Sequence, residues 1–338
     1  MGARVLIVGA GAIGGVTAAQ LVRAGQQVTV LDANRDHALR LNNPGLAIDE
    51  GGTTSLVVID AVSEASDLIG RFDFAFTMLK APFIEAALTP LVEMDLVDTY
   101  VSFGNGLVQQ RVEAVVGPER LVIGIVEWGA TNLGVGHVAK TTTAPFVVGE
   151  IDGSISPRLI KLGETLANAG EVRISENIFG QVWSKLLLNS TFSGLGAVAG
   201  MVYSDVVAQP GGVDLALAVW AEGYAVAMAS GVVLDDVAGV NPEHLITTNS
   251  GDRQVALDAL DQLMLRLGPT KASMLQDLER QARTEIDVIN GGVVSQAKKV
   301  GLPAPLNQGI VDIVRECERQ ERQPGPNNLI DLRSLLKQ

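Results

Sequence analysis

A single lysine interrupts a long apolar stretch of the chain. Residues 180–200 read GQVWSKLLLNSTFSGLGAVAG, in which Lys185 is the one charged side chain. At helical spacing Asn189 lies one turn beyond Lys185, and Ser193 lies near the same face. A lysine in such a place often extends its ammonium group to solvent. If it is held in a cleft instead, desolvation lowers its pKa and lets it protonate an oxygen that gains negative charge.

A second polar segment, residues 270–292, can supply the carboxylate that such a lysine needs as a partner. Ser273 opens its helical pattern, and Glu285 follows on a later turn, beyond a break that we expect near Arg283 or Thr284. Charged side chains are mostly exposed, so a solvated helix face is the alternative for most of this segment. Ser273 has the spacing of a capping box, which makes a helix N-cap its alternative role.

A glycine-rich loop near the N-terminus has the spacing of a dinucleotide-binding fingerprint. The segment VLIVGAGAIGG places Gly9, Gly11 and Gly14 after a predicted strand and at the start of a predicted helix. Such glycines permit a tight turn, close approach of a pyrophosphate and close helix–strand packing, and the helix N-terminus stabilises the anion. The next strand ends in Asp32, near the spacing of about 20 residues that the fingerprint requires. The cofactor-binding residues predicted here are Gly9, Gly11, Ala12, Ile13, Gly14 and Asp32.

The residues after the second strand bear on which cofactor binds. Asp32 can accept hydrogen bonds from the ribose hydroxyls of an adenosine, and its charge repels a 2′-phosphate. This pattern favours NAD. Arg35 lies close by and could clamp a 2′-phosphate, so NADP stays open as the alternative.

Composition limits the class of protein and its partners. The chain has 338 residues, 47% of them hydrophobic and 37 of them glycine, which suits a compact α/β protein of about two domains. Its formal charge of −13 comes without any block of lysine and arginine. Because contacts with phosphates need clustered cations, we expect neither nucleic acid nor an anionic membrane as a partner.

Cysteine and histidine usage indicates a reducing compartment and no metal. Cys317 is the only cysteine, and it shares no metal-ligand spacing with His37, His137 or His244. The apolar run at residues 5–22 is broken by glycines and lacks the cleavage site of a signal peptide. We therefore expect a cytoplasmic protein.

The hydrophobic pattern changes along the chain. Apolar runs alternating with helical segments predict a parallel, doubly wound sheet in the first half. After Asn177 the pattern is helical throughout. The predicted strands are 4–8, 27–32, 72–79, 99–103 and 120–126, a hairpin at 136–142 and 144–150, and a short strand at 171–175. The predicted helices are 12–24, 83–92, 106–115, 157–169, 177–199, 213–230, 252–267, 272–300 and 306–321.

Five segments together resemble the ketopantoate reductase (2-dehydropantoate 2-reductase) family, and the resemblance covers nearly the whole chain. They are GAGAIG in the first loop, TMLKA at 77–81, SFGNG at 102–106, WSKLLLN at 183–189 and ASMLQDLERQARTEIDVINGGVV at 272–294. The last two are highly specific.

The resemblance implies roles for individual residues. Lys185 is expected to be the general acid that protonates the keto oxygen as the nicotinamide delivers hydride. Glu285 is expected to be the acidic residue that engages this lysine or a substrate hydroxyl. The expected substrate-binding residues are Asn105, Asn189, Ser193 and Ser273, and the residues expected near the cofactor beyond the first loop are Lys80 and Asn105.

The chain departs from the family pattern where cofactor and substrate are chosen. Asp32 stands where many members have an arginine suited to NADPH. Ser193 and Thr270 replace asparagines, and Gly104 replaces a polar residue. The loss of these amides favours a bulkier or more apolar 2-oxo acid, with Trp128 either a stacking wall for it or a core residue.

These observations combine into one expected architecture and reaction. We expect a Rossmann-type α/β domain at 1–176 for dinucleotide binding and an all-helical domain at 177–338 for substrate binding and dimerisation. The predicted reaction is reduction of a 2-oxo acid to a D-2-hydroxy acid with NAD(P)H by a homodimer, with 2-dehydropantoate as the leading substrate. The alternatives are an NAD-dependent D-2-hydroxyacid dehydrogenase of the D-mandelate type and a non-catalytic dinucleotide sensor.

Overall fold

The computed structural model describes residues 2–247 and 252–336, and the chain divides into two compact units. The first unit comprises Met1–Gly104 and Val108–Ile178. The second comprises Phe179–Gln338 together with the short segment Asn105–Leu107. The predicted α/β chain with a Rossmann-type sheet and a helical C-terminal region is confirmed.

The first unit is built on an eight-stranded sheet with the order β12-β11-β8-β7-β6-β1-β2-β5. All neighbours are parallel except β8 and β11. The six strands from β5 to β8 have the order of a dinucleotide-binding sheet, whose direction of winding reverses between β1 and β6. The strands of this sheet are β1 (Arg4–Val8), β2 (Gln27–Leu31), β5 (Asp60–Val62), β6 (Phe72–Thr77), β7 (Val97–Ser102), β8 (Leu121–Val126), β11 (Phe146–Gly149) and β12 (Val172–Ile174).

Burial explains why these segments form the centre of the sheet. In β1 and β8 nearly every side chain is buried, as expected for strands covered on both faces. The helices of this unit each contribute apolar residues to the core. They are α1 (Ala12–Arg23), α2 (Arg35–Asn42), α3 (Ile84–Glu93), α4 (Gln109–Val116) and α5 (Pro157–Leu166).

A second sheet has four strands in the order β4-β3-β10-β9. Its strands are β3 (Leu46–Glu50), β4 (Thr53–Val57), β9 (Ala130–Gly134) and β10 (His137–Lys140). The predicted hairpin between 136–142 and 144–150 is wrong. The first of these segments forms β10, which pairs with β9 across a turn at Gly134 and Gly136, both with positive φ. The second forms β11 and pairs with β8 and β12 in the main sheet.

The second unit is helical. Within 179–247 and 252–336 every regular element is a helix, apart from one bridge between Val237 and Val240. Its helices are α6 (Ile178–Leu188), a π-helical turn (Asn189–Ser193), α7 (Gly194–Ala199), α8 (Tyr203–Ala208), α9 (Gly212–Ala229), α10 (Asp252–Leu267), α11 (Ser273–Glu279), α12 (Asn290–Val300), α13 (Pro305–Glu318) and α14 (Asn327–Leu335).

Two features of this unit differ from the sequence-based prediction. The break expected near residue 283 is longer, because α11 ends at Glu279 and α12 begins at Asn290. The C-terminal segment forms α14, which is fastened to the unit where Asn328 donates a hydrogen bond to the carbonyl of Val198 at 2.9 Å. Among the described helices, α9 alone is long and apolar enough to cross a membrane, and half of its length is buried in the fold.

Candidate active site

The loop between β1 and α1 has the backbone shape of a phosphate-binding turn. Gly9 has φ of 90°, and a side chain there would lie 2.4 Å from Leu79. A Cβ on Gly14 would lie 2.0 Å from the carbonyl oxygen of Gly9. A Cβ on Gly11, in contrast, would meet no atom within 4 Å. The first and third glycines are therefore required by packing, whereas the second leaves open space on the side where a ligand would approach the backbone.

Helix α1 begins directly after this space. Gly11 is its N-cap and has no side chain to cap the first turn, which also carries no acidic residue. The amide groups of a helix N-terminus attract anions. Gly11, Ala12 and Ile13 thus lie where a pyrophosphate could accept hydrogen bonds from the chain.

Asp32 is bound to the glycine loop. Its Oδ2 accepts a hydrogen bond from the amide of Ala10 at 2.9 Å, and its Oδ1 accepts one from the amide of Asn34 at 2.9 Å. The carboxylate also lines a cavity of about 730 Å³ that extends over Ser63, Glu64 and Phe83. No lysine or arginine is among the residues that line this cavity.

His37 holds the same loop from the other side, and sequence reasoning missed it. The imidazole is 5% exposed; its Nε2 lies 2.9 Å from the carbonyl oxygen of Ala10, and its Nδ1 accepts a hydrogen bond from the amide of Gly136 at 3.0 Å. Because Nδ1 accepts, Nε2 is the ring nitrogen that donates to the carbonyl of Ala10. The backbone of Ala10 is thereby fixed at its N–H by Asp32 and at its carbonyl by His37.

Lys80 lies at the exit of β6. The residue is half-buried, and its carbonyl accepts a hydrogen bond from the amide of Phe83 in the 3₁₀ turn Ala81–Phe83. β6 adjoins β1 at the point where the winding of the sheet reverses. Lys80 therefore belongs to the carboxyl edge of the strands, where ligands of such sheets bind.

In the second unit, Lys185 is half-buried on α6. Its neighbours Trp183, Ser184 and Leu186 are each 1% exposed. The hydroxyl of Ser184 donates to the carbonyl of Asp235 at 2.7 Å and accepts from the amide of Asp235 at 3.0 Å, which fixes the rotation of the helix. The lysine side chain thus starts from a rigid, largely buried segment.

The helix widens into a π turn immediately after α6, and this turn carries two of the predicted residues. Ser193 Oγ lies 3.4 Å from Asn189 Oδ1 and 2.6 Å from the hydroxyl of Tyr203. Burial raises the pKa of Tyr203, although its bond with Ser193 acts in the opposite direction. Ser193 itself is 4% exposed. π turns of this kind are frequent at functional sites.

Glu285 lies in the break between α11 and α12 and is 8% exposed. Asn105 Nδ2 donates to its Oε2 at 3.0 Å, although the two residues are 180 positions apart in sequence. Next to this contact, the amide of Leu107 donates to the carbonyl of Val288 at 2.9 Å. A Cβ on Gly106 would lie 2.2 Å from that carbonyl oxygen, so only glycine fits between them. The structure therefore brings Asn105 and Glu285 together.

The structure distinguishes the alternatives for two other residues. Ser273 is the first residue of α11 and is exposed; the N-cap is Ala272, so the capping role considered for Ser273 is wrong. Trp128 is 5% exposed and packs edge-on against Phe146, with ring centroids 5.6 Å apart. Its core alternative is therefore correct.

Comparison with known proteins gives matches along both regions of the chain. The family described as ketopantoate reductase PanE/ApbA matches residues 5–153, and the C-terminal part of the same family matches residues 177–318. A 2-dehydropantoate 2-reductase from Archaeoglobus fulgidus is 27% identical over 316 residues, covering 93% of this chain and 98% of the relative.

Two solved structures have a similar fold. A PanE/ApbA family ketopantoate reductase from Ralstonia eutropha JMP134 superposes with a TM-score of 0.80 at 25% identity, covering 94% of this chain and 99% of that one. D-mandelate dehydrogenase with NADH and anilino(oxo)acetate also gives a TM-score of 0.80, at 22% identity and with coverage of 94% and 99%. The two parts of one family thus match in order along almost the entire sequence, and the chain belongs to the ketopantoate reductase family of oxidoreductases.

Proposed function

We propose that the chain reduces a 2-oxo acid to the D-2-hydroxy acid with a nicotinamide cofactor. The observation that carries this proposal is the buried carboxylate of Glu285, held by the amide of Asn105 in the same unit as Lys185. A charged carboxylate is costly to bury unless it is bound to polar partners, so its retention here is consistent with a catalytic use. A sensor that only binds a dinucleotide would need neither this carboxylate nor a proton donor.

The first unit fits a dinucleotide. The open face of Gly11, the N-terminus of α1 and the cavity beside Asp32 provide a place for the pyrophosphate and the adenosine. A bound nicotinamide would supply the hydride. We propose NAD rather than NADP, because Asp32 and Glu64 line the cavity and no cation does. A 2′-phosphate placed there would face two carboxylates, and the cation nearest in sequence, Arg35, is exposed at the start of α2 and does not line the cavity.

The residues of the second unit would handle the substrate and the proton. Lys185 would donate a proton to the keto oxygen as that oxygen gains negative charge, a contribution of roughly 10²–10⁴-fold in rate. Glu285 would orient the lysine or accept a hydrogen bond from a substrate hydroxyl. Asn105 would keep Glu285 in place, and Asn189 and Ser273 would bind polar groups of the substrate.

The leading substrate is 2-dehydropantoate. Several relatives that align over nearly the whole chain, among them the protein from Archaeoglobus fulgidus, carry the name 2-dehydropantoate 2-reductase. Such a chain would serve pantothenate biosynthesis.

A second candidate is a D-2-hydroxyacid dehydrogenase of the D-mandelate type. Ser193 takes the place of a family asparagine, and its hydroxyl is already engaged by Tyr203 at 2.6 Å. This leaves one fewer polar group for ketopantoate and favours a more apolar 2-oxo acid. The acidic surroundings of the adenosine cavity, which favour NADH, agree with this candidate as well.

One assay distinguishes these proposals. Oxidation of NADH and of NADPH is followed separately by absorbance against ketopantoate, phenylglyoxylate and branched 2-oxo acids. Turnover with ketopantoate at the highest kcat/KM supports the leading substrate, and preference for phenylglyoxylate supports the second candidate. Absence of turnover with every acid and both cofactors contradicts the proposed reaction.

We also propose that the enzyme is a cytoplasmic homodimer. The single cysteine, Cys317, is buried and has no second cysteine in the chain to pair with, as suits a reducing compartment. Val255 and Leu265 are exposed on α10, which gives the helical unit apolar surface for a second copy. Light scattering after gel filtration would measure a mass near twice 35.5 kDa if the proposal is correct.

A further inference from the structure

The segment that carries Glu285 has no helix to hold it in place. Residues 280–289 lie between α11 and α12, and Gln281 has a positive φ of 54°. Within the segment, the carbonyl of Glu285 accepts hydrogen bonds from the amides of Val288 and Ile289, each at 3.1 Å. These bonds shape a turn around Glu285 but do not attach it to the rest of the unit. The Glu285 side chain is bound by Asn105, and the carbonyl of Val288 is bound by the amide of Leu107; the other attachments come from the residues on either side of Glu285.

On the N-terminal side, Thr284 is held by Glu318 at the end of α13. Glu318 Oε1 accepts two hydrogen bonds at 2.7 Å, one from the amide and one from the hydroxyl of Thr284. The hydroxyl oxygen in turn accepts a bond from the amide of Ile286 at 3.2 Å. Thr284 is only 3% exposed. The backbone amides of the residues on both sides of Glu285 are therefore connected to one carboxylate oxygen, that of Thr284 directly and that of Ile286 through the Thr284 hydroxyl.

On the C-terminal side, the same helix makes a second attachment. Arg315 donates to Asp287 at 2.8 Å, and it lies one turn before Glu318 on α13. The Arg315 and Asp287 side chains are 47% and 27% exposed, so solvent weakens this pair. The contacts of Glu318 reach a buried residue and its backbone, where water competes less. Of the two attachments, that of Glu318 is expected to be the stronger.

We propose that Glu318 is a positioning residue, which acts on the reaction through Glu285. Hydrogen bonds to an ionised carboxylate are stronger than neutral ones. Their loss would leave the buried amide of Thr284 without its acceptor and let the turn relax. A displacement of about 1 Å at a catalytic group can cost about 100-fold in rate. This inference rests on the proposed function, in which Glu285 engages Lys185 or the substrate.

The kinetic test compares Glu318→Ala, Glu318→Gln and the control Glu316→Ala. Glu316 lies on the same helix and pairs with Arg322, away from Thr284. We expect kcat/KM for the 2-oxo acid to fall roughly 10–100-fold in E318A, with the KM of the cofactor within about twofold of wild type. E318Q keeps an acceptor oxygen and should recover most of the rate, and E316A should resemble wild type. Wild-type kinetics in E318A, measured on folded protein, would overturn the proposal.

A double-mutant cycle separates positioning from a general loss of stability. If Glu318 acts through Glu285, adding E318A to Glu285→Ala should reduce the residual rate by less than about twofold, because the group being positioned is gone. An undiminished loss in the E285A background would mean that Glu318 acts elsewhere, and would contradict the inference.

Hydrogen exchange gives a measurement that does not depend on turnover. Amide exchange in a peptide spanning residues 282–290 should be faster in E318A than in wild type and E316A, with E318Q between them. Unchanged exchange in E318A would overturn the proposal even if the rate falls. A wild-type protein that reduces no 2-oxo acid would instead contradict the proposed function, and exchange would then decide alone whether Glu318 holds the segment.

Discussion

The glycine loop and the Glu285 segment are both fixed by residues outside the motif, but at very different distances in sequence. At the glycine loop, the N–H and the carbonyl of Ala10 are held by Asp32 and His37, which follow within the next βα unit. At the other segment, Glu285 is held by Asn105, 180 residues earlier, and its neighbour Thr284 by Glu318. The cofactor binding that we propose thus depends on a local unit, and the proposed proton chemistry depends on distant segments. Variants of the two regions should therefore change different kinetic parameters.

The largest separation of these parameters is expected for Lys185→Ala. Loss of the proton donor should lower kcat by roughly 10²–10⁴-fold, while the Kd for NADH, measured by fluorescence titration, should change little. Lys271→Ala is the control, because that lysine lies in the same unit and forms an exposed pair with Glu279. If the Kd for NADH rose by the same factor as kcat fell, variants of the two regions would not change different kinetic parameters. An unchanged biological output despite lost turnover would favour a dinucleotide sensor.

A smaller effect is expected for Asp32→Asn, which tests the cofactor side alone. The amide keeps an acceptor for the Ala10 N–H, loses the acceptor for the Asn34 N–H, and removes the charge that opposes a 2′-phosphate. The ratio of kcat/KM for NADH to that for NADPH should fall by about tenfold, or about 1.4 kcal/mol. Asp36→Asn, on the exposed face of α2, is the matched control. A wild-type enzyme that strongly prefers NADPH would contradict the role given to Asp32.

His37→Ala sharpens the same comparison, since His37 supports the loop but is not expected to contact the cofactor. Removing the imidazole leaves the Ala10 carbonyl and the Gly136 amide without their partner, at a cost of roughly 1–3 kcal/mol in unfolding free energy. The KM for NADH should rise several-fold, with a smaller change in kcat. His137→Ala, whose side chain is 39% exposed beside Asp49, should alter neither by a comparable amount. If the two variants behave alike, the loop does not depend on His37.

The same contrast explains which parts could be predicted from sequence. The glycine loop and Asp32 could be predicted because their spacing lies within one βα unit, and because the need for each residue type follows from its neighbours in sequence. β3, β4 and β9 were missed because they are partly exposed and because their sequences, LAIDE, TTSLV and ATNLG, do not alternate clearly between apolar and polar residues. The partner of β10 could not be predicted, because the apolar pattern of β10 fits the preceding segment, β9, as well as the following segment at 144–150. The formation and pairing of these strands depend on tertiary contacts, about which the local sequence pattern carries little information.

In the helical region, the sequence identified individual side chains but not what holds them. Lys185 could be identified because an isolated charge in an apolar helix requires an explanation. The family resemblance then identified Glu285 and Asn105 as site residues. Neither signal indicated the π turn at Asn189–Ser193, because four of its five residues are buried and the sequence therefore shows no exposed polar stripe that would mark a change of period. Nothing in the spacing linked Thr284 to Glu318, since that contact exists only once α13 has packed beside the break.

The smallest predicted effect concerns the pH dependence of stability, and it arises from a support in the second unit. Glu222 on α9 accepts hydrogen bonds from the amides of Leu306 and Asn307 at 2.8 and 3.0 Å, at the start of α13. Asn307 is linked through Asn290 to the carbonyl of Ser190 in the π turn. Burial raises the pKa of Glu222 above its ordinary 4.5, although the bonds from Asn307 and Leu306 lower it.

The direction of the effect follows from proton binding in the two states. With a raised pKa, the folded protein binds more protons at Glu222 than the unfolded chain does, so unfolding free energy falls as pH rises. The contribution is fully present below the ordinary value of 4.5 and is lost as pH rises through the folded pKa. Urea unfolding of wild type and Glu222→Gln at several pH values should show the wild-type free energy falling relative to the variant over this window. A difference that is constant with pH would mean that the bonds at α13 offset burial, and one that grows with pH would mean that they outweigh it.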